Sequence, residues 1–142
     1  MNTLIFSKDK IELIITPINS FIKSDLLPKK PTVCLIVLDK NFEKEEMIKM
    51  VNTAIDAGAI FFMTFGDFAE ELHDFIDEII EFSQNNLTHI VTTFHKSEQI
   101  ADIAKFFIYS TYFENNDCRY MMLFDTDSFT VCALQKELLL IL

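Results

Sequence analysis

The chain has 142 residues, half of them hydrophobic and fifteen of them Phe, with 22 acidic against 12 basic residues and a net charge of −10. This supply of apolar side chains fits one domain that buries about two-thirds of its unfolded surface, and it argues against intrinsic disorder. The charge disfavours nucleic acid and anionic membranes, since phosphate repels it and Lys29-Lys30 is the only adjacent basic pair.

Residues 4–6 and 11–15 read as two short strands. Ile18, Phe21 and Ile22 have helical spacing, but Pro28 and Pro31 leave residues 16–31 open between helix and loop. Residues 32–38 are almost continuously apolar, the pattern of a strand covered on both faces, and end at Asp39. A helix is expected over 42–57, with Met47, Met50, Val51, Ala54 and Ile55 as its apolar stripe and Gly58 as its left-handed cap. The strand 60–65 follows and ends at Gly66-Asp67.

Asp67, with Glu70 three residues on, predicts a capped helix running to about Ser83. One side of that helix carries Phe68, Leu72, Phe75, Ile76, Ile79 and Phe82, the other Glu70, His73, Asp74, Asp77 and Glu81. Residues 89–94 read as a strand ending at His95, and a helix from Ser97 or Glu98 carries Ile100, Ile103, Ala104, Phe107 and Ile108. A turn at 114–117 leads to the strand 119–124. Asp125-Thr126-Asp127-Ser128 is short enough for a hairpin, which predicts a final antiparallel strand over 129–134.

Strands separated by helices imply parallel pairing with right-handed crossovers. The expectation is a single α/β domain over residues 1–142, compact and three-layered. Its sheet would be mainly parallel, with about five strands and an antiparallel edge strand. No apolar run reaches the ~18 residues of a membrane span, and the amino terminus lacks the pattern of a secretory signal. Three Cys without a CxxC pair provide no disulfide framework, so the chain is expected to be cytoplasmic.

Two constellations offer chemistry. His73 and Asp77 stand four apart on one helix face, where their side chains meet, and Asp74 completes a His-Asp dipeptide. The strand ends supply Asp39, His95, Asp125 and Asp127, a set of hard oxygen ligands with one imidazole that would suit Mg²⁺ or a similar ion. A receiver-like phosphorylation site would also need a Lys at a late strand end, and none occurs there. Asp125 and Asp127 have an ordinary account too, because Asp favours turns through hydrogen bonds to backbone N–H groups. The sequence has no GxGxxG, no GxxxxGK[ST], no GxSxG and no zinc-type Cys/His spacing, so no cofactor is expected.

Residues 57–66, Glu71-Leu72-His73-Asp74 with Asp77, and Val91-Thr92-Thr93-Phe94-His95 together resemble a family of small uncharacterised bacterial domains, catalogued as a domain of unknown function. In that family an aromatic residue, often Trp, precedes the corresponding Gly and His. This chain has Phe65, Leu72 and Phe94 there, and no Trp. The resemblance implies that His73, Asp74, Asp77 and His95 are the best site candidates, and implies no biochemical activity.

The function expected is non-enzymatic. An acidic domain would bind a protein partner, a basic one by charge complementarity, through Glu70, His73, Asp74, Asp77 and Glu81, as an immunity or antitoxin-like protein masks a toxin. The alternative is a metal-dependent hydrolase or phosphotransfer enzyme using His73, Asp77, His95 and Asp125. The apolar tail Leu138, Leu139, Leu140, Ile141 and Leu142 packs on the domain or joins copies into a homo-oligomer.

Overall fold

The structure is a computed structural model that describes residues 3–9, 11–25, 27–83, 85–111 and 117–142. Its elements are β1 (Leu4–Lys8), β2 (Ile11–Pro17), α1 (Ile18–Lys23), β3 (Thr32–Val37), α2 (Lys44–Asp56), β4 (Ala59–Phe65), α3 (Ala69–Glu81), β5 (Val91–His95), α4 (Ile100–Tyr109), β6 (Cys118–Phe124) and α5 (Phe129–Ile141). They build a six-stranded sheet in the order β1-β2-β6-β3-β4-β5. Every pair from β2 to β5 is parallel, and β1 joins β2 antiparallel. The α/β architecture and the mainly parallel sheet are as the periodicity predicts.

Two apolar clusters lie on opposite faces of the sheet. One gathers α2 and α3 residues such as Met47, Met50, Leu72 and Ile76 with Cys34, Ile36 and Phe62. The other gathers Ile103, Phe107, Val131, Leu134 and Leu138 of α4 and α5 with Leu35, Met63 and Met122. The helices α1 to α3 carry the chain outward from β2 through β3 and β4 to β5, and α4 brings it back on the other face to β6. Right-handed crossovers require that reversal of direction to change faces. Layers on both sides explain why every residue of β3 and β6 is buried.

Three expectations are corrected. Residues 129–134 begin a helix, not an antiparallel strand. Ser128 Oγ accepts from Val131 N–H at 3.2 Å, and Val131, Leu134 and Leu138 recur at helical spacing to fill the face beside α4. The expected antiparallel edge strand is present, formed by β1, in a sheet of six strands. Asp67 does not cap α3: the cap position is Phe68, with no side-chain hydrogen bond. His89 lies in a turn before β5. Residues 114–116 of the expected turn lie outside the described residues. Residues 16–31, left open by the sequence, hold the end of β2 and α1.

The tail divides. Leu138 is fully buried and Ile141 and Leu142 pack against the same core, while Leu139 and Leu140 are exposed. No helix among the described residues is long and apolar enough to cross a membrane.

Burial sets the cysteine chemistry. Desolvation pushes the Cys34 thiol up to about 12 and the Cys118 thiol to about 11. Cys132 is the exposed one, also raised by desolvation, by its hydrogen bond to Asp127 and by that carboxylate's charge. Native protein treated with iodoacetamide is therefore expected to be alkylated at Cys132 only, faster as pH rises. Cys34 and Cys118 should react only after denaturation, and peptide mass mapping checks the order.

Candidate functional site

The acidic helix and the edge strand β5 meet at His73. Strand alternation turns Thr92 and Phe94 towards α3 and Thr93 and His95 towards α4. Thr92 Oγ1 donates to Asp77 Oδ1 at 2.6 Å and lies 3.2 Å from His73 Nε2. His73 Nε2 is 3.5 Å from Asp77 Oδ2, Nδ1 is 3.0 Å from Asp74 Oδ1, and the ring packs edge-on against Phe94 at 5.0 Å between centroids. Only 17% of the His73 side chain is exposed. It belongs to the seam between α3 and β5, not to the solvated face where helical spacing alone placed it.

Thr92, His73 and Asp74 stand in the order nucleophile, base, orienting acid. The Thr92 hydroxyl has one proton, and its shorter contact, 2.6 Å against 3.2 Å, is with the Asp77 carboxylate and not with the imidazole. The arrangement suits a polar pin that fastens α3 to the edge strand.

His95 sits on the other side of the sheet. Its ring packs on Phe106 of α4 at 4.9 Å, Nε2 is 3.0 Å from Thr93 Oγ1 and Nδ1 is 3.5 Å from Glu98 Oε1. His73 and His95 are thus separated by β5 itself and share no ligand position. Asp125 and Asp39 do come together at the carboxyl ends of β6 and β3, bonded into the loops there. The Asp125 carboxylate accepts from Asp39 N–H at 3.0 Å, Lys40 N–H at 3.1 Å and Thr126 N–H at 2.7 Å. Thr126 Oγ1 donates to Asp39 Oδ2 at 2.9 Å. Asp127 turns away to the Cys132 thiol at 3.5 Å. These bonds close the loop after β3 onto the end of β6. Among the described residues no group of three or more His, Cys, Asp or Glu is placed to hold a metal ion.

The outward side of α3 carries Glu70, Asp74 and Glu81, all exposed, and Asp77 at its seam edge. Glu71 and Glu78, which the amphipathic reading passed over, are exposed on the same helix. Lys96 Nζ lies 3.4 Å from Glu70 Oε1. An open groove of about 460 Å³ continues this surface past Asp77, Ile80 and Glu81 to Leu87 and Thr88. Phe82, Val91 and Phe94 are 80%, 48% and 42% exposed, so apolar side chains stand among the carboxylates. Thr92 was legible only through the parity of β5, which places it on the side of Phe94 and α3.

A family model described as a domain of unknown function (DUF7684) matches residues 19–131, a span that includes α3 and β5. A search of curated proteins finds no match.

Proposed function

The chain belongs to the DUF7684 family of domains of unknown function, and we propose that it is a non-enzymatic acidic domain that binds a basic protein partner. The observation that carries this reading is the exposed carboxylate surface of α3, Glu70, Glu71, Asp74, Glu78 and Glu81, flanked by exposed Phe82 and Phe94. Charged rims speed encounter and select partners of opposite sign, and aromatic side chains within them supply contact area. A net charge of −10 adds long-range attraction for a basic surface and repulsion between copies.

A concrete form is an immunity or antitoxin-like protein of a bacterial cytoplasm that masks a basic toxin domain. The α3–β5 pin supports it, because a masking surface works best when already ordered before binding. The metal-dependent alternative gains nothing from the separation of His73 and His95.

Affinity capture on the full chain from its native host, at near-physiological salt, tests the proposal. The expected product is a basic protein whose expression alone arrests growth and whose co-expression with this chain restores it. Recovery of no basic protein, or of one whose effect on growth is unchanged by this chain, would contradict it.

A further inference from the structure

Of the two sheet edges, β1 is blunted by Lys8, whose amine is bonded to the Leu142 carbonyl. Strand β5 reads Val-Thr-Thr-Phe-His, without Lys, Glu, Pro or a bulge, the devices by which proteins close an edge. Among the described residues no strand pairs with its outer side. Gly66 N–H donates to the His95 carbonyl at 3.1 Å. The alternation of a parallel ladder then directs the backbone groups of Val91, Thr93 and His95 towards β4. Those of Thr92 and Phe94 face outward, ready to pair with another strand.

The charge beside this edge identifies the occupant. On the α3 side Thr92 bonds Asp77 and Phe94 packs on His73, which holds Asp74, while Glu70 lies beside Lys96 just past the strand. On an added strand, the alternate residues facing that side would be brought against those carboxylates. A second copy of this chain would bring its own Asp74 and Asp77 with it, and like charges repel.

Resting on the protein-binding reading above, we infer that β5 is the docking edge and that the partner adds to it an extended segment with Lys or Arg at alternate positions. Main-chain hydrogen bonds to Thr92 and Phe94 would supply affinity, and the carboxylates of α3 would select the basic segment.

The test uses the full chain with a short blocked peptide alternating Lys with Val, and its Glu-for-Lys counterpart, followed by fluorescence anisotropy. The basic peptide is expected to bind at least ~10-fold more tightly. Phe94→Pro removes an outward N–H and is expected to weaken binding by ~10-fold, whereas Phe94→Ala, which keeps that N–H, should lose ~3-fold or less. Amide exchange on the unmodified chain gives a second readout that needs no variant: the peptide should slow exchange at Thr92 and Phe94. Preference for the basic peptide without protection at these two amides would overturn strand addition while leaving acidic binding standing. No preference for the basic peptide would overturn both. Protection of both amides on self-association without peptide would assign the edge to a second copy and overturn the inference.

Discussion

Arg119→Ala is expected to cost about 3–5 kcal/mol of stability, because it leaves a cavity and takes the donor from several acceptors of one buried network. Arg119 is 2% exposed at the start of β6, where its Nε donates to Glu12 Oε1 at 3.0 Å. Its two terminal nitrogens donate to Pro28 O at 2.7 Å and to Ala57 O and Thr32 Oγ1 at 3.3 Å each. One guanidinium thus ties β2, β3, the end of α2 and the 28–31 segment to the central strand. Lys cannot reproduce this fork, so Arg119→Lys should recover only part of the loss. Arg119→Met with Glu12→Gln should recover more, because it removes both charges and keeps the volume. Urea unfolding at constant m-value measures all three; a loss below about 1 kcal/mol for Arg119→Ala would show that the network does not hold the edge.

Gly58→Ala is expected to cost about 2–4 kcal/mol through the same knot. Gly58 has φ +102°, and a Cβ there would lie 2.2 Å from the Lys30 carbonyl oxygen, a backbone atom with no room to retreat. Lys30 N–H donates to Ala57 O and Thr32 N–H to Gly58 O, so the 28–32 segment is fastened across the turn that a Cβ would push open. The two substitutions act on one set of contacts. Their combined cost should fall short of the sum by about 0.5–3 kcal/mol, which a double-mutant cycle reads directly.

What the sequence revealed depended on how each feature shows itself. The strands β3 and β4 were visible because a parallel strand covered on both faces is an apolar run with few interruptions. Residues 129–134 misled because an aromatic and β-branched start can begin either element. Only Leu138, a turn beyond Leu134, settles the helical period. Arg119 is one charge near the start of the otherwise apolar β6, and its partners are distant in sequence. Yet a lone charge in a buried strand must find partners.

The two His candidates were separated by parity. His95 is one residue past Phe94, and consecutive strand residues face opposite sides, so His95 could not meet a helix packed on Phe94. His73 and Asp77 did meet, as i,i+4 spacing requires. The third member of their contact, Thr92, is distant in sequence and comes into reach only when α3 folds back on the sheet.

The most direct measurement compares two charge reversals of equal size on the full chain against the captured basic partner. One places Lys at Glu70, Asp74 and Glu81 on α3; the other places Lys at Asp25, Glu45 and Asp56, exposed on the α1–α2 side. The account predicts that the α3 reversal weakens binding by ~100-fold or more, and that the other acts only through net charge, by ~5-fold or less and vanishing at high salt. Equal losses from the two reversals would contradict a binding surface on α3.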